Sequence, residues 1–350
     1  MNATEVLLPQ FVFPRGRVAM ATALRILNLD PKSRVGLQAY TCRAVPDAVV
    51  AAGHHPVFVD TAERSIFPGA AQVRSAGHLD AFIVQHTFGA TFPRTSLEAL
   101  PSSVPIIEDA AHRTDAPYFE EGRAFASVFS YEWGKPLPLG RGGGLVLNEE
   151  YRRLLADVYA ASYELAPSDP VHDAMAAAFR YSYRPETYWA LKASFNLIGR
   201  FSSKGNFDIN DTEFRRRLEP GTVARIETVG RKRAEREPHL GAIRSIYDAV
   251  VGASVDHEDE AELLRYPIWV ADKARVLSAA RRRFIELADW FATSVDPLTD
   301  DLVPQIYNSQ IAHTRNAREA SQHIVSLPIT PRLSLGEAAR IARFARSWKE

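Results

Sequence analysis

The chain has 350 residues, 46% hydrophobic and 24% charged, enough for one large or two ordinary domains around a full core. Lys+Arg and Asp+Glu both number 42, a balance that argues against a wholly basic binder of nucleic acids or membranes. The single cysteine, Cys42, excludes an internal disulfide framework and a cysteine-clustered zinc site.

The first residues, MNATEVLLPQF, lack a basic start followed by a long apolar run. No stretch approaches the roughly 20 uninterrupted apolar residues of a membrane helix, so a soluble, cytoplasmic protein is expected. Residues 18–29 have helical spacing, stopped by Asp30 and Pro31. Residues 34–38 predict a strand and 44–52 a helix that ends before Gly53. The short apolar runs PVFVD (56–60), AFIVQ (81–85), VPIIED (104–109), ASVFSY (126–131) and GLVL (144–147) predict buried strands. Buried strands alternating with helices predict an α/β fold with a mostly parallel sheet covered on both faces. In such sheets ligands bind beyond the carboxyl ends of the strands.

Residues 151–205 read as helical and aromatic-rich, and 213–247 as long, basic, amphipathic helix broken near Pro220 and Gly221. Two further strands are predicted at 265–270 and 324–329, separated by helices at 272–292 and 316–323. A final helix is expected over 335–348. The expected division is a large domain, 1–235, and a smaller C-terminal α+β domain, 236–350.

The run Gly140-Arg141-Gly142-Gly143-Gly144 invites a phosphate-loop reading but fails the dinucleotide fingerprint, because Leu145 stands where glycine is required. Gly134-Lys135 fails the nucleotide-loop pattern, with Phe129 in place of glycine and Pro136 in place of Ser or Thr. No HExxH occurs, and no metal site is expected.

Three local features carry chemistry. Asp109, in EDAAH after the run VPII, stands at a strand's carboxyl end, a place for a ligand contact or a helix cap. Lys135 follows Ser130, Tyr131 and Trp133 into the glycine bend. Only seven of the 42 basic residues are lysines, and Lys32, Lys192, Lys204, Lys232, Lys273 and Lys349 lie in segments that read as exposed helices, turns or tail. Partial burial would make Lys135 a usable nucleophile and base; a surface loop is the plainer reading. Pro14-Arg15-Gly16-Arg17 opens the first helix, which offers an anion the positive end of the dipole or is an ordinary helix start. A phosphate, a ring nitrogen that wants a carboxylate and a carbonyl that wants an amine are together the features of pyridoxal 5′-phosphate (PLP).

Several motifs in order resemble the DegT/DnrJ/EryC1/StrS family of sugar aminotransferases. AAGHHPVFVD is similar to its "GAxPVFVD" segment, VQHTFG to its "HLYG" turn and IIEDAAH to "IEDAAQ". FSYEWGK…GRGGGLVLNEE resembles "FSFxxxK…GEGGxxxTxd", and NAREASQHIVSLPITPRLS resembles "AExLxxxxLSLPxxPxLS". The resemblance implies a fold-type I PLP enzyme acting as a homodimer. It matches Lys135 to the lysine that bonds the cofactor and moves the proton, and Asp109 to the partner of the pyridine nitrogen. His112 matches the contact to the ring's phenolic oxygen and Ser130 a phosphate-binding serine. Gly16, Arg17 and Val18 fall on the phosphate-binding turn.

The departures lie around the same site. Arg17 replaces the family's Thr, and Arg141 replaces an acidic residue. Cys42 falls where an aromatic stacks on the ring; Cys42 is then either a cofactor contact or a buried structural residue, with Tyr40 the other source of stacking. The family's asparagine–arginine segment has no clear counterpart near 205–217, and 151–205 is longer than usual. The activity that the resemblance implies is transfer of an amino group from an amino acid, glutamate or glutamine, to a keto-sugar, nucleotide-linked in the family's manner. The rivals are a PLP-dependent sugar dehydratase, which carries histidine in place of the aldimine lysine, and a non-catalytic relative that binds a sugar nucleotide or protein partner.

Overall fold

In a computed structural model of the chain, the described residues are 6–168, 212–252, 262–309 and 314–350, with 170, 173–174, 177–178, 182–184, 187–191 and 193. Strand β1 (Phe11–Phe13) leads into helix α1 (Gly16–Ile26), followed by β2 (Arg34–Gln38), the short β3 (Thr41–Cys42) and helix α2 (Ala44–Ala51). Then come β4 (His55–Val59), β5 (Ala81–Gln85), β6 (Ile106–Asp109), β7 (Ala126–Ser130) and β8 (Gly143–Leu147). They form a seven-stranded sheet in the order β1-β8-β7-β6-β5-β2-β4. Strands β7, β6, β5, β2 and β4 run parallel, and β8 is antiparallel to both of its neighbours. Every residue of β5, β6, β7 and β8 is buried, which is why these segments read as unbroken apolar runs rather than alternating ones.

The predicted strands therefore form, two of them with the expected ends and the rest with ends shifted by one or two residues. Strand β1 was not predicted: three residues carry too little pattern, and its place is set by pairing Phe11, Val12 and Phe13 with Leu145, Gly144 and Gly143. Two other expectations change. The helix expected over 272–292 stops at Arg282, where Phe284 takes a left-handed backbone at φ 52°. The long helix expected over 213–247 is a short turn, Glu213–Arg215, and two helices, Gly221–Ala234 and Glu237–Val250. Its second break falls where Pro238 sits in the first turn of the next helix. Of the aromatic-rich stretch, Glu149–Ser162 is helix, capped by the Asn148 side chain. Much of 169–211, including Lys192 and Lys204, lies outside the described residues.

Strand β9 (Glu164–Leu165) pairs with β10 (Arg216–Arg217). In the C-terminal part, β11 (Arg265–Trp269) pairs antiparallel with β13 (Ile324–Pro328), and the helix Glu237–Val250 packs on Leu335–Arg346. Strand β12 (Val295–Asp296) does not join them; it pairs with β3, more than 250 residues earlier in the chain. That ladder carries residues of the C-terminal part to the carboxyl edge of the large sheet.

The glycine run has a packing role. A Cβ on Gly143 would lie 2.3 Å from the carbonyl oxygen of Arg15 and 2.5 Å from the nitrogen of Gly16, both backbone atoms that cannot rotate away. Glycine here lets β8 touch the start of α1. Gly143→Ala should destabilise the protein by about 1–3 kcal/mol, read as a lower urea midpoint with an unchanged m-value.

Candidate active site

The strands β5, β6 and β7 deliver Gln85, Asp109 and Ser130 to one edge of the sheet, and α1 begins beside them. A cavity of about 300 Å³ opens there. Gly16, Arg17, Cys42, Asp109, His112, Ser130 and Lys135 line it, so seven of the nine residues predicted from sequence converge. Trp290, Phe291 and Asp296 line it from the C-terminal part.

Asp109 is buried at the end of β6. Its Oδ1 accepts the Ala111 N–H at 3.1 Å and its Oδ2 the Gln85 amide at 3.3 Å. Burial raises the carboxyl above its ordinary range, partly opposed by the Ala111 bond and by the nearby charge of Lys135. A buried carboxylate of this kind is stabilised by a cationic N–H partner.

His112 is buried and its imidazole is pushed well below its ordinary value, first by burial and then by the positive charge of Lys135. Its Nδ1 accepts the Phe88 N–H at 3.0 Å. A neutral imidazole with Nδ1 as acceptor carries its proton on Nε2, so the free edge of His112 is a donor. The ring lies parallel to the Trp290 indole, at 16° with centroids 5.6 Å apart. Lys135 Nζ sits 5.8 Å from the centroid of that same indole.

Helix α1 starts at the cavity wall, and its N-cap residue Arg15 makes no side-chain cap, so the dipole end is left for an anion. Arg17 reaches the wall but is engaged: its Nη2 lies 2.6 Å from Glu213 Oε2, while Arg15 Nε lies 2.7 Å from Glu213 Oε1. Arg15 also meets Glu132 at 3.2 Å. Cys42 faces the cavity as a neutral thiol, pushed up to about 11 by burial. That makes it a wall rather than a nucleophile.

Two of the predicted residues do not reach the cavity. Tyr40 is fully buried, and its hydroxyl donates to the Trp290 carbonyl at 2.9 Å and accepts the Phe291 N–H at 2.8 Å. It clamps the backbone behind the site instead of stacking in it. Val18 is fully buried in the core, and its amide donates to the Arg15 carbonyl at 3.1 Å, which takes it out of the phosphate-binding turn. A third correction concerns Lys273, read as an exposed helix residue. It is buried, and its ammonium donates to the carbonyls of Phe291 at 2.9 Å and Ser321 at 2.8 Å.

Sequence reasoning missed Gln85, Glu213, Trp290, Phe291 and Asp296. Gln85 had a signal, a polar residue closing the apolar run AFIV at a strand's carboxyl end. The others reach the site through long-range pairing, which no local pattern reports.

Residues 13–160 match the DegT/DnrJ/EryC1/StrS aminotransferase family model. Solved structures with the same fold include DesV from S. venezuelae in complex with a ketimine intermediate, at 19% identity and a TM-score of 0.67, covering 97% of this chain and 84% of that one. PseC from Helicobacter pylori, an aminotransferase involved in the biosynthesis of pseudoaminic acid, is 15% identical with a TM-score of 0.65, covering 96% and 85%. NtdA from Bacillus subtilis with bound cofactor PMP is 15% identical with a TM-score of 0.64, covering 95% and 72%. The large, mostly parallel sheet is thus that of the fold-type I PLP enzymes.

Two titration effects follow from burial. The folded His112 binds its proton less readily than the unfolded chain, so stability falls as pH drops below the ordinary imidazole value of about 6.5. His112→Gln should narrow the difference between urea midpoints measured at pH 5 and pH 7; buried His54, shifted the same way, leaves a residual slope. Asp109 is raised, so the folded chain keeps its proton longer and loses stability as pH climbs from the ordinary carboxylate value through the raised one. Asp109→Asn should raise the urea midpoint at pH 7 of protein prepared without PLP.

Proposed function

We propose that this chain is a PLP-dependent aminotransferase that moves an amino group from an amino acid, glutamate or glutamine, to a nucleotide-linked keto-sugar. It works as a homodimer, with residues 1–235 holding the cofactor and 236–350 closing the site. The observation that carries this reading is one cavity lined by a buried strand-end carboxylate, Asp109, and the amine of Lys135, with Ser130 and the start of α1 beside them. The family match and the bound groups of DesV and NtdA support the chemistry, and the role of PseC supports the sugar class.

The donor set fits PLP. Bound there, PLP supplies an electron sink for the charge left when a proton leaves the amino-acid carbon, and a carbon that carries the amino group between substrates. Lys135 Nζ would hold the group covalently and, as a free amine, would be the base that takes a proton from carbon and returns it. The Asp109 carboxylate would accept the N–H of a protonated ring nitrogen, an ion pair that would offset the cost of burying its charge. His112 donates from Nε2 to an oxygen on the ring's edge, a role its neutral state permits at physiological pH. Ser130 and the Gly16–Arg17 turn hold the phosphate. Phe291 and Trp133 wall the cavity with apolar surface and reduce the water that competes for the lysine.

Adding PLP to the purified protein should produce a visible absorption band that glutamate converts to the shorter-wavelength pyridoxamine form. Borohydride treatment should leave the cofactor's mass on the peptide that contains Lys135. Lys135→Ala should lack the trapped adduct and lose at least about 100-fold in the rate of the glutamate-driven conversion. An unchanged adduct in Lys135→Ala would refute the assignment.

A further inference from the structure

The family's ring-stacking aromatic is absent here, since Cys42 takes its place and Tyr40 is turned away into the core. We infer that Trp290 is the aromatic wall of this site, a positioning residue that presents the ring face Cys42 lacks and fixes the His112 imidazole. The inference rests on the PLP reading above.

Three observations carry it. Trp290 lines the same cavity as Cys42, Asp109 and Lys135. Its indole lies parallel to the His112 ring, and Lys135 Nζ stands 5.8 Å from its centroid, so the indole stands beside both groups that would work on the cofactor. Its backbone is held on several sides. The Tyr40 hydroxyl bonds both Trp290 and Phe291, and Lys273 holds the Phe291 carbonyl from the C-terminal part. Downstream, β12 pairs with β3, and the Thr41 N–H donates to the Ser294 carbonyl at 2.9 Å. The Arg265 guanidinium, held by Glu286 at 3.0 Å and by Ser326, stands 5.8 Å from the same indole centroid.

An indole held this firmly at a cavity wall is prepaid: little side-chain entropy remains to be lost when a flat ligand binds. Its electron-rich face suits an electron-poor, protonated heteroaromatic ring, and such aromatic pairs contribute beyond area alone. The parallel contact also sets the direction in which His112 presents Nε2–H.

The test is a PLP titration of wild type, Trp290→Phe, Trp290→Leu and Trp133→Phe, reading tryptophan emission and the visible band together. PLP should quench wild-type emission, and Trp290→Phe should lose the largest share of that quenching. The affinity of Trp290→Phe should stay within about twofold of wild type. Trp290→Leu should bind PLP about 2- to 10-fold more weakly, the size of one stacked aromatic pair, with a displaced band. Trp133→Phe should keep most of the quenching. A Trp290→Leu protein with wild-type affinity and band overturns the inference and leaves the PLP reading standing, as does a Trp290→Phe protein quenched as fully as wild type. A wild-type protein that forms no band with PLP overturns both.

Discussion

The hydroxyl of Tyr40 joins two parts of the chain that are 250 residues apart. It is fully buried, and both its donor and its acceptor capacity are used on the Trp290–Phe291 backbone. Losing the tyrosine oxygen would leave a buried carbonyl and a buried amide without this partner, at a cost of order 1–3 kcal/mol for each. Everything the C-terminal part adds to the cavity depends on that junction. Strand β12 continues it by pairing with β3, so Trp290, Phe291 and Asp296 arrive on a segment hydrogen-bonded to the N-terminal part of the chain. Lys273 closes the same junction from the other side, through the Phe291 carbonyl. The wall of the cavity is therefore built from the core outward.

Against this rigid frame, the charges at the site balance locally. Arg15 and Arg17 share Glu213, and Arg15 also meets Glu132, so two cations stand beside two carboxylates at the start of α1. An arginine where the family carries threonine thus brings its own counter-ion. The pull on a phosphate then comes from the helix dipole and from Ser130 more than from net side-chain charge. Deeper in, Asp109 and His112 are both pushed toward neutrality by burial. A neutral imidazole and a reluctant carboxylate are poor fold stabilisers near neutral pH, and both become useful when a protonated ring nitrogen and an acceptor oxygen are set against them.

How much of this was legible in the sequence depends on the range of the interaction that fixes each residue. The buried parallel strands announce themselves as short apolar runs, and Asp109, Ser130 and Lys135 stand at or just past the ends of such runs, where α/β folds keep their ligands. Helix ends were less legible. The 272–292 helix stops early because Phe284 adopts a left-handed backbone, which the basic, helix-favouring run before it does not foretell. Tyr40 and Cys42, two residues apart, were read together as candidates for one stacking role. The chain bends at Ala39–Tyr40, between β2 and β3, so Tyr40 is sealed in the core while Cys42, on β3, faces the cavity. Trp290 carried no local signal, because its position is decided by a ladder between residues 41–42 and 295–296.

Lysine scarcity leaves few candidates for a catalytic amine, and the surroundings of two of them differ. Lys273 is buried, whereas Lys135 is half-buried, and burial alone would make Lys273 a rival. Its ammonium, however, is surrounded by the carbonyls of Asp289, Phe291 and Ser321, at 3.4, 2.9 and 2.8 Å. Those three acceptors hold it away from the cavity. Lys135 stands instead at a cavity wall, with Asp109 and His112 across the same space and an indole face beside it. A reactive amine needs access and a partner to exchange protons with, and of the two lysines only the one at the cavity has both.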